Sequence, residues 1–309
     1  MPWCFWNNKT SWLLYDRKKV KKVIILIPVY NDWESLNKLL SEMNEIIKSF
    51  SDINFECLIV NDASTILLPE FKKPSNFRSI ELLNMKENRG HARCNAFGIR
   101  YVFQNKKFDN LILMDGDGED RPVEIKSLVE KIRENPNVSV VAKRVKRSEG
   151  PFFQSLYQLH KIITYIFTGQ NVNFGNYSLL TKNDVEKLHS KASLWSSYSG
   201  SVKKNLKSLN EINSIRGLRY FGPSQMSLLK LIIHSLSIIA VFKYQVFLRS
   251  TLMLVALAYL NSYLGSLAIF FQILIVVFNL IIFIVSQREQ ENDLLNSHNN
   301  LDDVKKIAH

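Results

Sequence analysis

The chain has 309 residues, 46% of them hydrophobic, and a formal net charge of +12. That is enough for one large or two modest domains with a sizeable core, and the charge calls for an anionic partner: nucleotide phosphates, an acidic lipid surface or nucleic acid. Cys4, Cys57 and Cys94 lack metal-type spacing, which excludes a thiolate metal site and leaves ordinary buried or free thiols of a reducing compartment.

Residues 1–21 do not read as a secretory signal, because their charges follow the apolar part. Their tryptophans fit either a membrane interface or an arm packed on the domain. The run KVIILIPV (22–29) is continuous and β-branched, as a strand covered on both faces is. Residues 33–50 have helical spacing, FECLIVNDAS (55–64) is a strand with a polar tip, and 79–85 is a weaker strand. Then come a helix (90–103), the strand NLILMD, a helix opening at Pro122 and the strand VSVVAKR. Such alternation predicts a mainly parallel α/β sheet with helices on both faces and its strand C-termini along one ligand-binding edge. The tips NDWE, NDAS and DGDGED all fall on that edge.

Residues 151–222 are mixed. Residues 224–243 are largely apolar, and Ser227, Lys230, His234 and Ser237 share one helical stripe, so the segment reads as a helix lying flat in a membrane interface with His234 on its polar face. Residues 250–287 contain no charge. They are read as two spanning helices, 246–262 and 267–286, against the alternatives of one span plus a core segment or a buried soluble pair. The polar remainder, 288–309, reads as a flexible tail.

DGDGED (115–120) ends an apolar run in acids, which are costly to bury unless paired. Glycines at 116 and 118 let the backbone approach a ligand. Oxygen ligands of this kind suit Mg²⁺ or Mn²⁺ bridging a diphosphate; a solvated acidic loop is the alternative. IPVYND (27–32) and VNDAS (60–64) place groups for a base and ribose, and ENRGHARCNA (87–96) places Gly90 at a helix start with Asn88 and basic side chains near phosphate reach.

In this order and spacing the motifs resemble the family 2 glycosyltransferases of the Rossmann-like GT-A fold, over about residues 23–185. MDGDGEDRPVEI, VVAKRVKR (140–147) and RYFGPSQMS (219–227) are similar to segments of its polyprenyl-phosphate branch, which includes dolichol-phosphate mannose synthase. The resemblance implies Asp115 and Asp117 facing a donor diphosphate, with Asp117 and Glu119 holding the metal. It implies Pro28, Tyr30, Asn31, Asn61, Asp62, Asn88 and Gly90 around the nucleotide sugar, and Arg144, Arg147, Arg219 and Ser224 on donor or acceptor phosphates. A basic face drawn to anionic lipid is the other reading of Arg144 and Arg147. Asn61 departs from the family's usual aspartate and Glu119 from the branch's glutamine. Residues 173–180 match only in part, and 194–206 have no counterpart.

The implied organisation is an arm (1–21), a catalytic domain (22–222), an interfacial helix (223–244), a two-helix anchor (245–287) and a cytosolic tail (288–309), in an integral membrane protein whose catalytic domain faces the cytosol. The implied activity is inverting transfer from a nucleotide-diphosphate sugar to a polyprenyl phosphate at the membrane lipid surface. The alternatives are transfer to a glycan hydroxyl, with Asp184 or His160 as base, or a non-catalytic nucleotide-sugar binder. No nucleic-acid reading motif is present, and homo-oligomerisation is left open.

Overall fold

The computed structural model describes residues 22–70, 73–146, 151–223 and 227–307. The arm, Arg147 and Ser224 lie outside the described residues.

Strand β1 (Lys22–Val29) alternates between two apolar layers. Val23, Ile25 and Ile27 pack in a layer with helix α1 (Trp33–Ile47), while Ile24 and Leu26 face the opposite layer. Strands β2 (Asn54–Asn61) and β3 (Ser79–Met85) follow, then α2 (His91–Asn105) and β4 (Asn110–Leu113). Gly98 lets α2 lie close on β1, since a Cβ there would sit 2.5 Å from the Leu26 side chain. Pro122 opens a short 3-10 turn that leads into α3 (Ile125–Glu134). This helix buries Ile125, Leu128, Val129 and Ile132, the stripe that a 3.6-residue repeat puts on one face.

Next come β5 (Val140–Lys146), α4 (Pro151–Thr168), β6 (Phe174–Thr181), and three short helices: α5 (Lys182–Leu188), α6 (Ala192–Ser196) and α7 (Tyr198–Asn205). Strand β7 (Asn210–Ile215) closes the domain's edge. The C-terminal part adds α8 (Leu228–Ala240), α9 (Lys243–Tyr259), α10 (Asn261–Leu264), α11 (Ser266–Ser286), α12 (Glu291–Leu295) and β8 (Leu301–Ile307).

The sheet has eight strands in the order β7-β5-β6-β4-β1-β2-β3-β8. Strands β4, β1, β2 and β3 are mutually parallel; β6 runs against β4 and β5, and β8 runs against β3. Since β7 parallels β5, the C-terminal ends of six strands and the N-terminal ends of β6 and β8 meet along one rim. This confirms the α/β class and gathers the strand C-termini on one edge, as expected from the sequence.

Three expectations change. Residues 288–309 do not form a flexible tail as far as they are described: β8 pairs with β3 and satisfies edge groups that would otherwise lie open, and Leu294 is fully buried. The polar stripe of α8 does not simply face water, because Ser237 is buried and His234 lines a cavity beneath the helix. Among the described residues one helix, α11, is by itself long and apolar enough to cross a membrane; α9 meets that test only together with α8, to which it is bent by 83°. The second anchor helix is therefore not established by length and composition: α9 has 17 residues and carries Lys243 and Arg249 in its first half.

Candidate active site at the sheet rim

The segment after β4 places Asp115, Asp117, Glu119 and Asp120 on one turn. Asp120 is buried and accepts a 2.9 Å hydrogen bond from the Asp115 amide, which folds the loop back on itself. Asp115 in turn accepts 2.9 Å from the Asn176 side chain at the start of β6. Asp117 accepts 3.1 Å from the Glu119 amide and 2.8 Å from Arg219. Burial, and after it the charge of Asp115, push both the Asp117 and the Asp120 carboxyls up from the usual range; Glu119 adds to the effect on Asp117. The rim thus gathers more negative charge than its neighbours balance comfortably.

Those neighbours come from the strap that follows β7. Arg216 pairs with Glu119, and Arg219 pairs with both Asp117 and Asp32. The strap is also stitched by backbone: the Gly217 amide donates to Glu119 O at 2.8 Å and the Tyr220 amide to Asp117 O at 2.9 Å. Tyr220 donates to Glu42 at 2.6 Å, and its ring lies under the Lys38 ammonium at 4.5 Å. The same ring fills the space where a Cβ on Gly118 would stand, and Gly118 has φ +90°. Gly118 therefore serves both its own backbone and the closeness of the strap.

The β1–β3 part of the rim is ordered by amides and one carboxylate. Asn31, at φ 53°, accepts from the amides of Thr65 and Ile66 and donates 3.0 Å to the Thr65 hydroxyl. Its side chain shapes a loop and is not held open for a ligand. Asp62, 3% exposed, accepts 2.8 Å bonds from the amides of Arg89 and Gly90, tying the tip of β2 to the start of α2. Asn61 accepts 3.0 Å from the Ser64 amide and donates 2.8 Å to Asn84. Pro28 and Tyr30 stand half-buried at the end of β1, and Asn88 is exposed beside Gly90.

A cavity of about 410 Å³ opens next to Asp115. Its polar end carries Asp115, Arg144, Arg216, His91 and His234, with the two imidazole rings 5.3 Å apart. Its walls are Leu156, Ile163, Leu231, Ile232, Ile239 and Phe278, from α4, α8 and α11. His160 lines it as well. Asp184 does not: it is 5% exposed under α5, held by Ser139 at 2.6 Å and Lys187 at 2.8 Å, so it belongs to a helix start and not to the site.

The acid loop, Asp62, Asn61, Arg144 and Arg219 were named from the sequence and do meet at the rim. Arg219 spends its guanidinium on carboxylates. Asn176 and Arg216 were missed; Asp32, Asp120 and Tyr220 lay inside motifs read from the sequence but were given no role of their own.

Among the described residues no three acid, histidine or cysteine side chains form a ready-made metal cage. The donor set still fits a hard divalent cation. Asp115 and Asp117 offer carboxylate oxygens with lone pairs to spare, in a place where negative charge repels itself. Few protein ligands suit a cation that takes its remaining ligands from phosphate oxygens and water. Glu119, expected as a ligand, is engaged by Arg216.

The eight-stranded α/β sheet carries these acids at the C-terminal rim of β4. The overall fold is similar to glucosyl-3-phosphoglycerate synthase from Mycobacterium tuberculosis, solved with Mn²⁺, UDP-glucose and phosphoglyceric acid (TM-score 0.53, 13% identity, 75% of this chain and 82% of that one). A structure of that protein with Mn²⁺, UDP and phosphoglyceric acid matches with TM-score 0.53 at 12% identity, over 75% and 80% of the two chains. Residues 24–196 match the family model described as glycosyl transferase family 2, and the chain belongs to that family. It is 28% identical over 170 residues to the undecaprenyl-phosphate 4-deoxy-4-formamido-L-arabinose transferase of Salmonella choleraesuis, 55% of this chain and 50% of that protein. The Salmonella newport protein of the same name matches to the same extent. The chain spans about half the length of the relatives it matches.

Proposed function

We propose that this chain is a membrane-associated glycosyltransferase that moves a sugar from a nucleotide-diphosphate sugar to a polyprenyl phosphate, with inversion at the anomeric carbon. One observation carries the reading: the cavity joins the acid rim at Asp115 to walls of apolar side chains from α4, α8 and α11, the last of them long and apolar enough to cross a membrane. A molecule with a phosphate at one end and a hydrocarbon chain at the other fits both ends. The names of the Salmonella relatives support the same acceptor class.

In this reading the donor's nucleoside lies along the tips of β1, β2 and β3, and its diphosphate meets Asp115 and Asp117. A divalent cation there, Mg²⁺ or Mn²⁺, would be held by Asp117 with Asp115 beside it, and when bound it supplies charge neutralisation to the leaving diphosphate. The chain's own residues do the rest. Asn176 and the Asp115 amide fix the acid loop, and Arg144 and Arg216 present guanidinium groups to phosphate oxygens at the polar end of the cavity. An acceptor phosphate oxygen forms the new bond to the anomeric carbon as the bond to the diphosphate oxygen breaks, and the nucleoside diphosphate leaves. That oxygen is already anionic, so no base is required. The apolar walls exclude water, which would otherwise compete as acceptor. A hydroxyl acceptor is the second reading; it is favoured only by His160, which lines the cavity where a base would stand.

The test is transfer by the purified full-length chain in detergent, with labelled UDP-, GDP- and TDP-sugars and undecaprenyl phosphate. Label extracted with lipid and released by mild acid is the expected result. Absence of label in lipid from every donor overturns the reading, and acid-stable lipid label turns it toward the hydroxyl acceptor.

A further inference from the structure

The segment that follows α12 does more than cover a sheet edge. Asn300, 4% exposed, brackets Glu87: its side-chain oxygen accepts 3.1 Å from the Glu87 amide, and its side-chain nitrogen donates 3.0 Å to the Glu87 carbonyl. Its own carbonyl accepts 2.8 Å from the Lys86 amide, and Asn299 O accepts 3.1 Å from the Lys86 ammonium. The bracketed residues lead directly into Asn88, Arg89 and Gly90, whose far end Asp62 clamps.

Three residues on, Asp303 accepts from the Asn84 side-chain nitrogen. Asn84 O then accepts from Asn61, and Asn61 O from the Ser64 amide. A carboxylate can only accept, whereas a side-chain amide can present either its oxygen or its nitrogen. Asp303, which can only accept, and the Ser64 amide, which can only donate, fix the sense of the relay from its two ends, and Asp303 anchors the Asn84 NH₂ at the outer end. Lys305 stands 3.3 Å from Asp303 and keeps it paired from the solvent side.

We infer that Asn300 and Asp303, which follow the membrane-facing helices in the chain, are positioning residues for the donor nucleotide, and that Asp303, through Asn84, holds the Asn61 amide in place for a nucleobase. The inference rests on the reading that the rim of β1, β2 and β3 takes the nucleoside. Asn61 stands where an aspartate could only accept. Held by the relay, it keeps one free N–H and one free lone pair, in places steadied by a residue 242 positions further along the chain.

The experiment is calorimetry of UDP, GDP, ADP and TDP with Mn²⁺ on the full-length chain in detergent, for the wild type, Asp303→Ala, Asp303→Asn, Asn300→Ala and the neighbouring Asp302→Ala, with melting temperatures and kcat at saturating donor alongside. The wild type is expected to prefer one nucleotide. Asp303→Ala and Asn300→Ala should weaken it tenfold or more while kcat stays within twofold. Asp303→Asn retains an acceptor oxygen for the Asn84 NH₂, and the Ser64 amide still sets the sense of the relay, so it should keep both affinity and preference within about threefold. Asp302→Ala should change neither. If affinity and preference are unchanged in every variant, the inference is overturned, as it is if the melting temperature alone falls. Should Asp303→Ala not fold, the affinity of Asn300→Ala decides. A wild type that takes up none of the four overturns the donor reading and this inference with it; a wild type that binds, with variants that bind equally, overturns this inference alone.

Discussion

At the scale of single residues, the acid loop is a balance of charges, and its members are separable by substitution. Asp117 has one oxygen on the Glu119 amide and the other on Arg219. Asp117→Asn keeps the shape and one acceptor oxygen, for the Glu119 amide, but removes the charge and turns an NH₂ toward Arg219, so transfer should fall about 100- to 1,000-fold, the usual loss for one electrostatic stabiliser. Arg219 retains Asp32, so the strap should stay in place and the melting temperature should move little; single-turnover transfer and a thermal melt check both parts. Gly118→Ala acts in the opposite way. A side chain at φ +90° is strained and meets the Tyr220 ring, so denaturant unfolding should show a loss of about 1–3 kcal/mol. Cys57 and Cys94 are buried, and burial pushes both thiols up. Thiolate is then scarce at pH 8 in the folded state. Iodoacetamide should leave both unmodified in native protein and label both in denaturant. Asp115, Asp117 and Asp120 were legible because they lie on one loop. Asn176 and Arg216 were not, because they reach that loop from 61 and 97 residues further along, and no local pattern records such a meeting.

At the scale of elements, the tie between β2 and α2 is a single carboxylate. Asp62 serves the amides of Arg89 and Gly90 together, and Gly90 at φ 87° has no side chain of its own to help. Asp62→Ala leaves two part-buried amides without their acceptor, at a cost of about 1–3 kcal/mol for each group left unsatisfied. Hydrogen exchange at Arg89 and Gly90 should quicken well before exchange in β1 does, and nucleotide affinity should fall with it. The elements most readable in the sequence were those with a strong period: β1 and β2 as buried runs, α1 and α3 as amphipathic helices. The hidden ones had a reason to hide. LDDVKKI, which becomes β8, is too polar to announce a strand, and it forms one because β3 offers an open edge. The helices α5, α6 and α7 are short and carry serines that turn inward: Ser193 and Ser201 bond each other at 2.8 Å, and Ser178 meets the Tyr198 hydroxyl at 2.5 Å. Buried polar pairs of this kind erase the apolar stripe by which a helix is recognised.

At the scale of the whole molecule, β8 constrains how the chain can meet a membrane. It lies in the same sheet as β1, so the chain after α11 is on the same side as the catalytic domain. If α11 crosses the bilayer, the chain must cross once before it, and α9 with the short α10 is the segment that stands between. Its 17 residues rise about 25 Å, somewhat short of a hydrocarbon core of about 30 Å, with α10 to extend it. Its charges sit at the end that such a hairpin would keep near the domain: Lys243 pairs with Glu289 at 3.4 Å, and Arg249 donates 3.1 Å to the Ile166 carbonyl on α4. Tyr259 and Tyr263, both strongly exposed, fall at the turn, where an aromatic belt would lie at the far interface. In sealed vesicles, with Cys4→Ser as background, an impermeant maleimide should therefore reach Ser262→Cys and Asp302→Cys from opposite sides. Labelling of both from one side would mean that α9 and α11 enter and leave by the same face, and the cavity wall of α8 and α11 would then belong to a protein resting on the membrane, with the proposed lipid acceptor drawn up from the surface.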